Sequence, residues 1–304
     1  MRKLLIVQGL LIYSCIAFAQ TDNAAKYASG INKENLKKHL TIIASDEMEG
    51  RETGTAGERK AAAYIETQFK AMGLKSATAL NGYQQYYPLY QDSLISTTLK
   101  AGGNAAVFGK DFISPMNANE TGKFKGKKIV FVGYGIDDKA YSDYTNLNVK
   151  GKVVVFFLGE PKADGKYIIN GTTRGSEWTF PGTSKKLIAA AAKGAIGALV
   201  INPQQESFNE ITVNNGKKTG VYFPRAAAGK MVNYALLSHA FAKSIIGNSF
   251  NFDSVLAAAK KSEIIKISSY EKKYALNFTF NKYRNIINAS NVVGIVEGND
   301  KKDE

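Results

Sequence analysis

The sequence predicts an α/β protein in which a β-rich middle segment interrupts a frame of helices and strands. Glycine-bounded runs of apolar, β-branched residues at 128–132, 152–158 and 196–201 are typical of buried strands. An alanine-rich pattern over 183–193 predicts a helix between the last two runs. Helical patterns come before this middle segment and strand patterns follow it, so the middle is interpreted as an insertion.

The first twenty residues have the pattern of an export signal. Arg2 and Lys3 are followed by a short apolar run over 4–18, and a small-x-small site predicts cleavage between Ala19 and Gln20. That run is too short for a membrane span, and no later run reaches the roughly 20 apolar residues that a span needs. We expect an exported protein, periplasmic or extracellular, with no transmembrane segment.

Cys15 is the only cysteine and has two interpretations. Cleavage after Ala19 removes it with the signal, whereas residues 12–15 resemble a lipoprotein box that would place a lipid on Cys15. Tyr13 fits that box poorly, so cleavage after Ala19 is favoured. The mature chain then has no disulfide and depends on an apolar core.

Composition indicates a packed protein rather than a disordered one. The chain has 304 residues, of which 44% are hydrophobic and 11% aromatic, and its formal net charge is +14. The length suggests two domains. Lysines occur singly and in pairs, and no basic run alternates with aromatic residues. We therefore expect no nucleic-acid partner, while binding of acidic cell-surface polymers stays open.

Two helices are predicted before residue 75. The first covers 32–44, where apolar residues are spaced by four and three positions: Leu36, Leu40 and Ile43. Thr55 with Glu58 three residues later forms a capping box that begins the second helix, and Gly73 fits its end. The apolar face of this second helix is Ala62, Ile65, Phe69 and Met72.

The remaining elements follow from the same patterns. Strands are expected over 83–90, 93–100, 264–268, 275–280 and 291–296. Helices are expected over 230–244, after Pro224, and over 252–261.

Two separated stretches resemble one enzyme family. Residues 36–74, "LKKHLTIIASDEMEGRETGTAGERKAAAYIETQFKAMGL", closely resemble the opening of the co-catalytic di-zinc aminopeptidases, metallopeptidase family twenty-eight. Glutamate carboxypeptidase and the non-enzymatic transferrin receptor are relatives in this family. The most specific part is 49–57. Residues 289–304, "ASNVVGIVEGNDKKDE", resemble the strand and turn that lead to the family's first zinc ligands, a His-x-Asp motif.

The segment between these stretches resembles the protease-associated domain that many members carry as an insert. Residues 148–161 and 184–203 carry that likeness. The resemblance implies an incomplete α/β peptidase domain interrupted by a β-rich α+β insert. The implied boundaries are 1–19 for the signal, 20–91 for the peptidase front, 92–265 for the insert and 266–304 for the return.

The family's chemistry needs ligands that this chain lacks. Peptide hydrolysis there would use two zinc ions held by histidines and carboxylates, with a glutamate as general base. Zinc needs about three protein ligands in convergent geometry, and this chain has only His39 and His239. We expect zinc in the full-length protein, none bound by this chain, and both histidines to be structural.

Four residues are candidates for the substrate groove, and no residue is a catalytic candidate. Glu49 and Arg51 lie in an acidic loop, and the favoured interpretation of that loop is a solvated connection in which Arg51 pairs with a carboxylate. Arg174 and Trp178 suit recognition of a peptide end or an aromatic side chain. Their alternative interpretation is a packed tryptophan beside a solvent-exposed arginine.

The Gly-x-Gly fragment within 131–138 indicates a strand and a turn.

The functional expectation follows from the resemblance. The chain is interpreted as the front segment of a secreted zinc aminopeptidase that acts on peptide or protein substrates and is inactive on its own. The alternative is a non-catalytic protein that binds peptides or a partner through the protease-associated domain.

Overall fold

A computed structural model describes residues 26–180, 182–224, 229–247, 250–265 and 270–298. The predicted signal, with Cys15, Ala19 and Gln20, lies outside them. The chain divides into two compact units, Met1–Pro88 with Asn288–Glu304, and Leu89–Ile287. The boundaries implied by the resemblance stay predictions. None of the helices within the described ranges is long and apolar enough to cross a membrane.

The first unit contains the two predicted helices. Helix α1 is Lys33–Ile43 and helix α2 is Ala56–Ala71. Asn32 caps α1 by accepting from the Asn35 N–H at 2.8 Å, and Thr55 caps α2 by accepting from the Glu58 N–H at 3.4 Å. A 3₁₀ segment, Asp46–Arg51, interrupted by non-helical backbone at Glu49 and Gly50, stands where the sequence predicted a loop.

The apolar pattern predicted these helices correctly but not their burial. Leu36 and Leu40 are 60% and 67% exposed, and α1 has no buried residue. Helix α2 buries only small residues near its start: Gly57, Ala61 and Ala62. The helices of the first unit therefore form where the sequence predicts them. They bury few residues within the described part of the chain.

The second unit is built on one large mixed sheet. Its strands are β1 Gln84–Ala101, β2 Asn104–Ala105, β3 Phe112–Ile113, β4 Gly122–Phe131, β5 Val153–Phe157, β8 Gly197–Ile201, β9 Tyr234–Leu237 and β10 Tyr270–Val292. Two short strands, β6 Lys162–Ala163 and β7 Lys166–Tyr167, form a separate hairpin. The order in the large sheet is β2-β1-β10-β4-β5-β8-β9-β3, and strands β4, β5, β8 and β9 are parallel. Strands β1 and β10 begin or end in the first unit.

Helices cover both faces of the parallel strands. They are α3 Thr183–Ala192, α4 Glu210–Asn215, α5 His239–Ile246 and α6 Phe252–Lys260. Every residue of β5, β8 and β9 is buried. Alternate residues of these strands face two apolar clusters, one with α5 and α6 and the other with α3. This arrangement explains the continuous apolar runs in the sequence and confirms the α/β class.

Several predicted elements are wrong in detail. Residues 234–237 form a buried strand parallel to β8 rather than the start of a helix over 230–244. Strand β1 is continuous where two strands were expected, and β10 runs without a break from Tyr270 to Val292. The last predicted strand, 291–296, is regular only up to Val292. Part of the predicted strand over 264–268 lies outside the described residues.

Candidate functional site

Buried polar side chains lie near the carboxyl ends of the parallel strands of the second unit, among them Glu160 and Lys186. Ligands of open α/β sheets usually bind at this edge. The turn after β4 contains Gly133 and Gly135, whose φ angles are +48° and +68°. A Cβ on Gly133 would lie 2.3 Å from the Asp143 Oδ1, and a Cβ on Gly135 would lie 2.9 Å from the Phe156 ring. The Gly-x-Gly fragment is therefore a turn that closes around Asp143.

Asp143 accepts hydrogen bonds on both carboxylate oxygens. Its Oδ2 accepts from the N–H groups of Tyr134 and Ile136 at 3.1 and 3.0 Å, and its Oδ1 accepts from the Tyr141 hydroxyl at 2.8 Å. Burial raises the pKa of Asp143, although these hydrogen bonds oppose the shift. The carboxylate thus holds the turn in place.

An open cavity of about 420 Å³ lies beside this turn. Gly133, Tyr141, Ser142, Thr145 and Asn146 are among its lining residues. Its position at the carboxyl edge of the sheet makes it a candidate binding site for a small polar group.

Lys186 connects the ends of β4 and β5 from the first turn of α3. Its side chain is fully buried, and its Nζ donates to the carbonyl oxygens of Tyr134 and Gly159 at 2.6 Å each. Burial lowers the pKa of Lys186 to about 7, and the negative charges of Asp143 and Glu160 only partly oppose that shift. Nothing in the sequence indicated which lysine of the Lys185-Lys186 pair is buried.

Buried Glu160 holds the loop that contains two predicted groove residues. Its carboxylate accepts from the backbone N–H and hydroxyl of Ser176 and from the Thr179 hydroxyl. Trp178 is 3% exposed, and its Nε1 donates to the Asp138 Oδ2 at 3.1 Å. Arg174 is exposed to solvent. The loop thus shows the packed tryptophan and solvent-exposed arginine of the alternative interpretation, and a groove role for either residue stays a prediction.

Glu49 and Arg51 lie together in the first unit. Glu49, Gly50 and Arg51 have φ angles of 48°, 73° and 59°, so three consecutive residues adopt a left-handed conformation. Glu49 pairs with Lys60, and Arg51 donates to the Ile43 carbonyl. Among the described residues, the carbonyl of Ile43 rather than a carboxylate accepts from Arg51, contrary to the expected pairing. Their groove role also stays a prediction.

Glu58 joins the two stretches that carry the family resemblance. Its Oε2 accepts from the Gly54 N–H and its Oε1 from the Ser290 N–H, both at 2.9 Å. Lys75 and Ile295 add a pair of backbone hydrogen bonds at 3.1 and 2.8 Å. The capping-box pattern identified Glu58 as a helix-start residue, but not its long-range partner.

Each histidine has a single structural role. His39 Nδ1 lies 2.7 Å from the Tyr64 hydroxyl, and buried His239 places its Nε2 2.8 Å from the Asn202 carbonyl oxygen. Across the described ranges, no group of three or more His, Cys, Asp or Glu residues could hold a metal ion. The residues described here do not fit the zinc pair that the resemblance implies.

A second buried charged cluster centres on Asp92 of β1. Arg284 donates to both of its carboxylate oxygens at 2.8 and 3.0 Å, and the Lys282 Nζ lies 2.9 Å from its Oδ2. Tyr222 also donates to Oδ2, at 2.9 Å. Burial alone would raise the pKa of Asp92, but these hydrogen bonds outweigh it and hold the pKa well below its usual range. The cluster is structural, and alternating residues in β10 gave no sequence signal for it.

Comparisons with known proteins find only weak likeness to solved structures. No family model matches the chain, and no curated protein does. An aminopeptidase from Aneurinibacillus sp. strain AM-1 is 16% identical over 89% of this chain and 49% of its own, with a TM-score of 0.39.

Two further solved structures show weaker likeness. BSAP, a zinc aminopeptidase from Bacillus subtilis, is 14% identical over 86% of this chain and 47% of its own, with a TM-score of 0.29. The subtilisin-like protease Apa1 from Pseudoalteromonas sp. AS-11 is 11% identical over 65% and 35%, with a TM-score of 0.25.

The chain spans about half the length of the two aminopeptidases. All three TM-scores are below 0.5, so this likeness supports no conclusion about activity. The α/β class rests on the strands and helices of the chain itself.

Proposed function

We propose that this chain is the front segment of a secreted, zinc-dependent aminopeptidase that removes N-terminal residues from peptides. The observation that carries the proposal is a hydrogen bond between the two stretches that resemble the family. Glu58 holds the 49–57 segment to Ser290 near the end of β10, although the two lie 232 positions apart in the sequence. Stretches that resemble one enzyme family thus meet within one compact unit.

Within this proposal, Glu49 and Arg51 contribute to the rim of the substrate groove. Both side chains sit on a left-handed segment that the Gly57 backbone approaches closely, since a Cβ there would lie 2.1 Å from the Met48 carbonyl oxygen. A backbone conformation this constrained is common at functional sites. The exposed Glu49 carboxylate already binds the ammonium group of Lys60, and it is suited in the same way to a peptide N-terminus.

The proposal assigns zinc binding and catalysis to residues outside the described part of the chain. The test is to titrate the purified chain with zinc and to assay aminoacyl-arylamide hydrolysis. We expect no stoichiometric zinc binding and no turnover above a zinc-only blank. Chelator-sensitive turnover by the 304-residue chain would contradict the inactivity.

The family assignment has its own test in the reading frame beyond codon 304. We expect an open frame that continues into a strand with a His-x-Asp motif, and zinc-dependent aminopeptidase activity in the longer product. A longer product that binds two zinc ions but cleaves no N-terminal residue would exclude the aminopeptidase assignment.

A second candidate function is peptide or partner binding without catalysis. The observation that favours it is the second unit, which has its own two-sided core and an open cavity beside Asp143. Fluorescence anisotropy with labelled peptides distinguishes the candidates. Saturable binding by the chain, together with an inactive longer product, favours the binding protein.

A further inference from the structure

A polar surface covers the neighbouring strands β1 and β10 of the second unit. The hydroxyl oxygens of Thr98 and Thr279 are 2.6 Å apart, and the Asn281 Nδ2 donates to the Ser96 Oγ at 3.0 Å. Between these two contacts the residue number rises by two on β1 and falls by two on β10, so the strands are antiparallel. Residues two apart point to the same side of a strand, so the four side chains share one face.

The same face continues onto β4 and becomes basic. Strand β10 pairs Thr279 with Lys123 and Asn277 with Lys125. Two residues beyond Thr98, the antiparallel register brings Lys100 beside Asn277. Two rows therefore cross three strands, Lys100–Asn277–Lys125 and Thr98–Thr279–Lys123. We call Ser96, Asn281 and these two rows the lysine face.

The three lysines of this face carry unneutralised charge. Lys100, Lys123 and Lys125 are exposed, and no side-chain ion pair or hydrogen bond joins them to other residues in the described ranges. By contrast, nearby Lys128 and Lys152 both pair with Glu271. Strands are about 4.8 Å apart and alternate residues about 6.7 Å apart, so the three ammonium groups rise from a patch about 10 Å wide. Like charges this close favour a bound polyanion.

The other side chains of the lysine face identify the kind of polyanion. The hydroxyl groups of Ser96, Thr98 and Thr279 stand beside the lysines and can exchange further hydrogen bonds with sugar hydroxyls, whereas the Oδ1 of Asn277 is buried. The rows contain no apolar side chain to enter a lipid bilayer and no aromatic ring to stack on a base. We propose that the lysine face binds an extended acidic polysaccharide, a polymer that carries carboxylates among hydroxyl groups.

The first experiment compares two variants with the same change in net charge. One replaces the lysines of the face (K100Q, K123Q and K125Q together). The control replaces three exposed lysines elsewhere in the second unit that also have no ion pair or hydrogen bond in the described ranges (K110Q, K139Q and K166Q together). Binding of the full chain to polygalacturonate is measured at low and high salt.

We expect the face variant to bind polygalacturonate at least about tenfold more weakly at low salt, and the control to stay within about twofold of wild type. Equal losses in both variants would show a bulk charge effect and overturn the proposal, as would undiminished binding by the face variant. Thermal unfolding of both variants checks that each is folded.

The second experiment separates a polysaccharide from other polyanions. T98V with T279V keeps all three lysines but removes two hydroxyls, so we expect weaker polygalacturonate binding and unchanged binding to phosphatidylglycerol vesicles. Neutral dextran should not bind. The polysaccharide assignment is overturned if vesicles or duplex DNA bind the chain as tightly as polygalacturonate does and if the face variant loses as much affinity for them.

Discussion

The two units turn regular apolar sequence patterns of different kinds into very different amounts of core. In the second unit, every residue of β5, β8 and β9 is buried between helices. In the first unit, α1 has an equally regular apolar face, yet none of its residues is buried. Burial of apolar surface is the main stabilising contribution to folding, so the second unit should hold most of the stability of this chain. A periodic pattern therefore predicts an element, whereas burial depends on which neighbours the element has.

The largest expected difference between the units concerns their ion pairs. Asp92→Asn should lower the free energy of unfolding by up to about 3–5 kcal/mol, because it removes the buried carboxylate that pairs with Lys282 and Arg284 and leaves them only the exposed Glu120. Glu49→Gln removes the exposed pair with Lys60 and should cost about 0–1 kcal/mol. Urea unfolding of both variants measures this contrast. Similar losses of stability in the two variants would contradict the difference between the buried and the exposed ion pair.

The Asp92 pair also predicts an acid dependence. The pKa of Asp92 is lowered in the folded state, so its contribution is complete above the unfolded pKa of about 3.9 and is lost as the pH falls through the folded value. Wild type should therefore lose more stability than Asp92→Asn between pH 5 and strongly acidic conditions. If the stability of wild type and of Asp92→Asn fell by the same amount with decreasing pH, the result would be inconsistent with this pairing.

A matched pair of leucines tests burial directly. Leu199→Ala in β8 should cost about 2–5 kcal/mol because it opens a cavity in the core. Leu40→Ala on the exposed face of α1 should change the free energy of unfolding by no more than about 0.5 kcal/mol. Chemical denaturation gives both values, and a large cost at Leu40 would mean that α1 is buried in solution.

The first unit is constrained at one glycine in spite of its small core. Gly57→Ala places a Cβ where the Met48 carbonyl oxygen stands, so we expect a local cost of about 1–3 kcal/mol. Faster hydrogen exchange confined to 46–60 would report it. Ala63→Ser, on the exposed side of α2, is the control and should leave exchange in that segment unchanged.

The last contrast is a pH slope in the second unit. Burial lowers the pKa of Lys186 to about 7, below the unfolded value of about 10.4, so the unfolded chain binds more protons between these pH values and stability rises with pH there. Lys186→Met should remove this rise, and Lys185→Met, at the exposed neighbour, should retain it. Denaturant midpoints from pH 7 to 10 measure the slope. If the stability of Lys186→Met still rose with pH, other titratable groups would be responsible for the slope.

Local patterns predicted much of the fold because they depend on nearby residues. The capping box at Thr55 and Glu58 located α2, and the β-branched run over 152–158 located β5. Residues 234–237 were assigned to a helix because four apolar residues in a row fit either element. Their pairing with β8 made them a strand, and pairing is not visible in a short run of sequence.

The site was harder to predict because its contacts join distant residues. Lys186 is buried because the phase of α3 directs it, and not Lys185, toward the strand ends. Glu58 meets Ser290 only in the folded unit. The candidates Glu49, Arg51, Arg174 and Trp178 came from a family likeness and residue chemistry, which do not specify exposure. The packing of Trp178 required the structure.

Native-state hydrogen exchange tests the contrast between the two units most directly. Mass spectrometry of the purified chain compares backbone amides of β5, β8 and β9 with those of α1 and α2. We predict slow exchange, limited by global unfolding, in the three strands and much faster exchange in the two helices. Equal protection in the helices and the strands would contradict the claim that the second unit holds most of the stability.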